Sequence, residues 1–330
     1  MNKKHLTDIF RNSRNKKIII IGDLMLDRYL FGDVNRISPE APVQVFDLKK
    51  NEYRLGGAAN VAYNIKTLGA DPFLIGVTGN DAESELLKLS LESNGISTKG
   101  IISEDGRPTT SKSRVISDSH HLLRIDSESK EEITPSSQKK ILSLLSEHAA
   151  KETVIILQDY NKGVLTRELI KKISAAAAKE KFRILVDPKF DNFFEFRNAY
   201  LFKPNRKELE DSFGIKIKEL NYLDEIAAKL FKKISCANII FTLGEQGMMI
   251  YENHNKKLRK EKISTKARKV ADVSGAGDTV ISTIAVCLSG GASLRDSAVI
   301  SNYAAGLVVQ EVGIVPVYKN DLMENILKNK

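Results

Sequence analysis

Four isoleucines in succession, in KIIIIGD (17–23), constrain this chain more than any other feature. A half-buried strand alternates apolar and polar residues, so an unbroken β-branched run must be covered on both faces. That is the setting of a central strand in a parallel sheet packed between helices. The rest of the chain keeps the matching rhythm of strand then helix. GGAANVAYNIKTLGA (56–70) has helical spacing and stops at Gly69, and DPFLIGVTG follows as a strand, with AESELLKLSLESNG as a helix. Further strands are expected at TVIILQD (153–159), FRILVDP (182–188), YLFKP (200–204) and ANIIFTLG (237–244). The segments GAGDTVISTIAVCLSGG and SLRDSAVISNYAAGLVVQEVG read as two packed apolar helices.

Two stretches break the rhythm. Residues 28–54 alternate apolar and polar residues around prolines, and residues 107–126 look like a hairpin. Both read as antiparallel strands outside the main sheet. A small sheet of that kind leaves an apolar face and open edges, so it should cover something or pair with a second subunit. No repeat or linker marks a second catalytic domain, and the expectation is one domain over 1–330 with these two insertions.

Composition narrows the function. The net charge of +9 would suit a nucleic-acid binder, but the lysines are scattered over helical segments beside glutamates, with no arginine-rich arm or basic–aromatic stripe. No nucleic-acid partner is expected. No apolar run is long enough to span a bilayer and no cleavage site follows the basic first residues, so no membrane partner is expected and the cytoplasm is the expected location. Cys236 and Cys287 sit in apolar stretches as buried thiols, and the five histidines lack metal-ligand spacing. Any metal should be Mg²⁺, held mainly by phosphates and carboxylates.

The strongest chemical signal is DVSGAGDTV (272–280), ahead of an apolar helix. Gly275, Ala276 and Gly277 leave the backbone uncluttered, so successive N–H groups can converge on an anion at the helix N-terminus. Asp278, in the same turn, would sit where a base can take a proton from an incoming hydroxyl. Alone, the segment fits a tight turn capped by Asp278 equally well. KPNRKELE places Asn205 and Glu208 one helical turn apart, a pair able to hold water around Mg²⁺, or simply a capping box. FTLGEQG ends a strand with Gly244 and Gly247, suited to close approach by a nucleotide or to a plain hairpin turn. GDLMLD puts Asp23 and Asp27 at the end of the first strand, the edge where open α/β sheets bind ligands. RLGGAAN adds Gly56, Gly57 and, one turn into a helix, Asn60, a polar set suited to a polyhydroxylated sugar.

In this order and combination the motifs resemble those of the ribokinase-like (PfkB) carbohydrate kinases over nearly the whole chain. The resemblance implies a three-layer α/β/α domain with a mostly parallel sheet and a small β lid. It implies ATP and Mg²⁺, Asp278 as catalytic base, and Gly275, Ala276 and Gly277 as an anion hole. It also implies a nucleotide site of Asn205, Glu208, Thr242, Gly244, Gly247 and Asn302, with Glu208 reaching the metal through water. No Walker loop occurs.

A finer resemblance lies in GDLMLDRYLFGDVNRISPEAPVQV (22–45), DYNKG (159–163) and DPK (187–189). These look like the branch of that family that phosphorylates the anomeric hydroxyl of D-glycero-β-D-manno-heptose 7-phosphate, a lipopolysaccharide core precursor. An anionic substrate fits the cations at the expected ligand edge. Lys162 and Lys189 follow strand ends, and Lys112, Arg114 and Arg124 lie in the hairpin. The expected sugar-phosphate set is Asp23, Asp27, Arg36, Gly56, Gly57, Asn60, Arg124, Asp159, Lys162 and Lys189, with a homodimer formed through the lid. Three departures stand out: Gln158 where the family more often has serine, Phe190 after DPK in place of glycine, and Ser274 where threonine is common. None is expected to touch the base or anion hole. No H-x-G-H nucleotide-transfer motif is present, so adenylyl transfer is expected of another protein.

Overall fold

The computed structural model describes residues 2–118, 120–254, 257–267 and 269–329; Ser119, inside the expected hairpin, lies outside them. The chain opens with α1 (Lys3–Ser13) and β1 (Lys17–Gly22), then leaves the main body through β2 (Leu24–Ile37) and β3 (Gln44–Gly57). It returns in α2 (Ala58–Thr67), β4 (Asp71–Thr78), α3 (Ala82–Ser93) and β5 (Ile101–Ser103), and departs again in β6 (Ser111–Ser117) and β7 (His120–Ser127). Then come α4 (Pro135–His148), β8 (Val154–Gln158), α5 (Arg167–Glu180), β9 (Arg183–Asp187), β10 (Leu201–Phe202), α6 (Arg206–Phe213), α7 (Tyr222–Ile234) and β11 (Asn238–Thr242). A hairpin of β12 (Met248–His254) and β13 (Lys257–Ile263) precedes α8 (Ala276–Ser289), α9 (Leu294–Val308) and α10 (Lys319–Lys328).

The helix starts follow from local chemistry. Asp81, Thr134, Thr166 and Ser293 each accept the N–H three residues ahead, satisfying a donor that the first turn leaves without a partner.

The main sheet has the order β13-β12-β11-β10-β9-β8-β1-β4-β5. Strands β11 through β5 in that order run parallel, and β12 and β13 extend one edge antiparallel. The isoleucine run lies at its centre. Ile18 and Ile20 pack with Val61 of α2 and Ile281 and Ile284 of α8, while Ile19 and Ile21 pack with Ile141 of α4, Leu169 of α5 and Ile226 of α7. All four isoleucines are fully buried, each contributing about 2 kcal/mol of apolar burial. Period-two alternation thus sends neighbouring residues into two separate cores, which is why every position must be apolar.

After β1 the chain builds the sheet toward β4 and β5; from β8 it builds the other way. The strand order therefore reverses between β1 and β8, and the crevice beyond their carboxyl ends is the natural ligand site.

The second sheet has the order β3-β2-β6-β7. β2–β3 and β6–β7 are antiparallel, as expected, but β2 and β6 pair parallel, Leu26 opposite Ser111 through Phe31 opposite Ile116. The expected all-antiparallel arrangement fails at that joint, because both strands leave the body at the same edge and run outward together. The strands also reach further into the body than expected, to Leu24 and Gly57.

Candidate active site

Four strand ends and two helix starts converge at the crevice. Asp278 lies in the first turn of α8 and is 2% exposed. Its side chain makes no cap: Gly275 occupies the N-cap position with φ 76°. The carboxylate turns instead toward the sheet. Oδ2 accepts from Asn60 Nδ2 of α2 at 2.8 Å. Oδ1 accepts from Gln158 Nε2, at the end of β8, at 3.1 Å and from the Tyr160 hydroxyl at 2.7 Å. Burial pushes this carboxyl up to about 6, against the pull of the Asn60 and Tyr160 hydrogen bonds, with Asp187 adding to the rise and Lys203 opposing it. A carboxyl poised near 6 is mostly ionised at neutral pH yet basic enough to accept a proton.

Beneath the helix start lies a buried ion pair, Lys203 Nζ to Asp187 Oδ1 at 2.9 Å. Gln158 Nε2 also reaches Asp187 Oδ2 at 3.2 Å, so one amide joins two carboxylates. A methyl group built on Gly277 would sit 3.7 Å from both Asp187 and Lys203, so the bare backbone opens onto this pair. Gly275 adopts a left-handed conformation that costs a residue with a side chain about 1–2 kcal/mol, and a Cβ there would stand 3.1 Å from Asn60 Nδ2. Gly275→Ala should therefore strain the turn and push Asn60 away from Asp278. The expected result is a kcat fall of about tenfold or more with a lower melting temperature; unchanged values for both would remove Gly275 from the site.

The expected sugar-side acids have other partners. Asp23 is buried and its carboxylate accepts the N–H groups of Tyr160 (2.7 Å), Lys162 (3.2 Å) and Val164 (3.2 Å). It shapes the loop after β8; burial raises its pKa despite those donors. Asp159 accepts from Asn161 N at 2.8 Å, and burial followed by the charge of Asp23 pushes it up to about 7. Asp27, fully buried, pairs with Arg114 across the parallel joint, and burial raises its pKa against the Arg114 charge. A Cβ on Gly56 would stand 2.1 Å from Asp27 Oδ2, so a side chain there would displace that carboxylate.

At the root of the second sheet an ion-pair chain runs Asp126–Lys112–Glu128–Lys162, with contacts of 2.9, 2.7 and 2.7 Å, and Arg124 joins Asp126 at 2.8 Å. Counting Asp27 and Arg114, and Asp272, whose charge also acts on Arg114, four cations face four carboxylates. Arg36 stands apart: it is exposed, nine positions along β2 from Asp27, on the order of 25–30 Å of extended chain. One sugar cannot touch both within a single subunit.

On the other side of the crevice, Asn205 and Glu208 form the capping box of α6, with Glu208 N donating to Asn205 Oδ1 at 2.9 Å and Asn205 N to Glu208 Oε2 at 2.8 Å. The other Glu208 oxygen pairs with Lys189; burial and then Asp187 raise this carboxyl. Asn205 bridges Thr242, and Gly244 and Gly247 bound the short turn between β11 and β12, which is a hairpin. Asn302, on α9, donates to Ser264 O at 2.6 Å and so closes the same end of the sheet.

Sequence reasoning missed Gln158 and Tyr160. The expectation that none of the three departures touches the base is overturned by Gln158, since the longer amide spans the crevice to Asp278 where a serine is too short. The departure itself and the position of Gln158 at the end of a central strand were the signals available.

The chain is similar to known proteins in three ways. A family model described as pfkB family carbohydrate kinase matches residues 15–319. Bifunctional protein HldE of Sulfurimonas denitrificans is 42% identical over 309 residues, covering 93% of this chain, and that of Geobacter sulfurreducens is 38% identical, covering 95%. The chain spans 64% and 63% of the length of those two relatives. Among solved structures, phosphofructokinase-2 from Escherichia coli in complex with fructose-6-phosphate superposes with a TM-score of 0.77 at 17% identity, covering 96% of this chain and 99% of that one. Arabidopsis thaliana ribokinase complexed with ribose and ATP gives 0.74 at 18%, covering 96% and 100%. At such identities these two establish the fold, ribokinase-like, as expected.

Proposed function

The chain belongs to the pfkB family of carbohydrate kinases, and from that membership we propose that it phosphorylates the anomeric hydroxyl of D-glycero-β-D-manno-heptose 7-phosphate, using ATP. The observation that carries the chemistry is Asp278, a buried carboxylate at the start of α8, beside bare glycine backbone and at the reversal of strand order. The RISPEAPV and DYNKG segments and the 42% identity to a bifunctional HldE support the choice of sugar.

Asp278 takes the proton of the acceptor hydroxyl as that oxygen attacks the γ-phosphorus. The new O–P bond forms as the bond to the ADP oxygen breaks, and ADP leaves with that electron pair. The Gly275–Gly277 amides face the charge of the transferred group, and Lys203 and Lys189 add positive potential beneath it. Asn60, Gly56 and Gly57 line the sugar side, with Asp23 and Asp159 shaping the loop that carries Lys162. Asn205, Thr242, Gly244, Gly247 and Asn302 line the nucleotide side.

Mg²⁺ fits this site only as an ion carried by the triphosphate. Among the described residues no group of three or more His, Cys, Asp or Glu side chains could hold a metal, and both Glu208 oxygens already have protein partners. Glu208 and Asn205 would meet the ion through its water shell, and Mg²⁺ would neutralise triphosphate charge.

The chain acts as one kinase unit whose second sheet serves as lid and dimer contact. In-register neighbours share a face, so Asp27, Lys112, Tyr29 and Arg114 look one way, toward Asp272 and the 312–314 loop, whose Ile314 N donates to the Tyr29 hydroxyl at 3.2 Å. Leu30, Val115, Leu123 and Ile125 look the other way, the last two 56% and 54% exposed. An apolar outer face on a lid suits a second copy. Among the described residues no helix is long and apolar enough to cross a membrane; the location proposed with this reaction is the cytoplasm, where its ATP would be available.

The test is ADP release from Mg·ATP with the heptose 7-phosphate, unphosphorylated heptose, fructose 6-phosphate and ribose. Selective turnover of the heptose phosphate is expected, with kcat/KM for unphosphorylated heptose at least about 10²-fold lower. Preference for another sugar would retain the kinase and discard the substrate.

A further inference from the structure

The base carboxylate is held asymmetrically, and this departs from any expectation drawn from the motifs. A carboxylate oxygen accepts comfortably from two donors. Asp278 Oδ1 already has two, Gln158 Nε2 at 3.1 Å and the Tyr160 hydroxyl at 2.7 Å. Oδ2 has one, Asn60 Nδ2 at 2.8 Å. Resting on the reading of Asp278 as base, we propose that Gln158 and Tyr160 clamp Oδ1 as positioning residues and leave Oδ2 as the atom that takes the acceptor's proton.

The clamp is built, not incidental. Gln158 is 1% exposed, and its amide must present nitrogen to the crevice, because the reverse orientation would aim its oxygen at both Asp278 and Asp187. Tyr160 is fixed through its own backbone, whose N–H donates to Asp23 at 2.7 Å, in a loop that Asp23 grips at two further amides. Lys189 lies 5.3 Å from the centre of the Tyr160 ring and pairs with Glu208 on the nucleotide side. Burial, then the charge of Asp278, keeps the Tyr160 hydroxyl protonated well above the usual phenol range, so it donates at every working pH.

Both donors favour the ionised carboxylate more than the protonated one. The Asn60 and Tyr160 hydrogen bonds oppose burial and the neighbouring Asp187, with Lys203 and Lys189 also facing the group and Asp27 acting on Tyr160 from the lid side. Removing a clamp donor should therefore move the acid limb of the rate profile upward, in addition to any loss of plateau rate from a less firmly held base. A residue with only a packing role would lower the rate at all pH values alike.

The experiment measures kcat from pH 5 to 9 for the full chain, Tyr160→Phe, Gln158→Met and Asp278→Asn, with Mg·ATP and whichever sugar phosphate the wild type turns over fastest. Wild type should show an acid limb near pH 6. Tyr160→Phe should raise that limb by about one unit or more, and the looser hold on the base should lower the plateau as well. Gln158→Met should shift it in the same direction, and it decides alone if Tyr160→Phe does not fold. An unmoved limb in the folded variants, with Asp278→Asn inactive, would overturn the clamp and keep the base. An active Asp278→Asn would instead overturn the base assignment itself.

Discussion

Asp278→Asn should reduce kcat by about 10³-fold, within the usual range for losing a general base, while the protein remains folded. Asparagine matches the carboxylate in size and can still accept from Gln158 and Tyr160 through its remaining oxygen. It cannot take a proton from the acceptor, and its own amide would face the Asn60 amide where Oδ2 had accepted at 2.8 Å. Because Asp278 lies in the first turn of α8 and not among the residues proposed to line the nucleotide, KM for ATP should change less than about threefold. Steady-state kinetics on a variant shown to melt cooperatively decides this. Retention of more than about a tenth of wild-type kcat would remove Asp278 from the role of base.

The second large effect falls on stability. Lys203 is 2% exposed and its ammonium pairs with Asp187 at 2.9 Å. Lys203→Met keeps the length of the stem but leaves Asp187 buried, facing Asp278, with Gln158 as its remaining donor. Breaking a buried pair from one side costs about 3–5 kcal/mol, a large share of the 5–15 kcal/mol typical of a folded chain. A drop in melting temperature on the order of 5–10 °C is expected. The acid limb of the rate profile should also rise, because Lys203 opposes the upward push on Asp278. Adding Asp187→Asn should restore much of the stability, since neither charge then remains buried. A Lys203→Met variant that melts within about 1 °C of wild type would mean the pair contributes little.

What could be read from sequence was what short segments impose by themselves. The isoleucine run required two-sided burial and so a central strand. DVSGAGDTV placed glycines and an aspartate at a helix start, and the structure puts all of them there. Contacts between distant segments were not legible. Asn60 and Asp278 meet across 218 positions and Gln158 and Asp278 across 120, and no local pattern encodes such pairs. The parallel joint of β2 with β6 was missed because strand direction depends on where the chain leaves the body. Asp23 looked like a sugar ligand because a strand-end carboxylate is available in sequence; in the fold three backbone amides claim it. Asn205 and Glu208 show the converse. Their plainer reading as a capping box is what the structure contains, while leaving them at the edge of the crevice where a triphosphate would lie.

The most direct test of the central claim is the position of the transferred phosphate. Wild-type protein incubated with Mg·ATP and D-glycero-β-D-manno-heptose 7-phosphate should give, by ³¹P NMR, a second phosphate ester coupled to the anomeric proton, in equal amount to the ADP formed. A new ester at any other carbon, or ADP matched only by inorganic phosphate, would contradict the account.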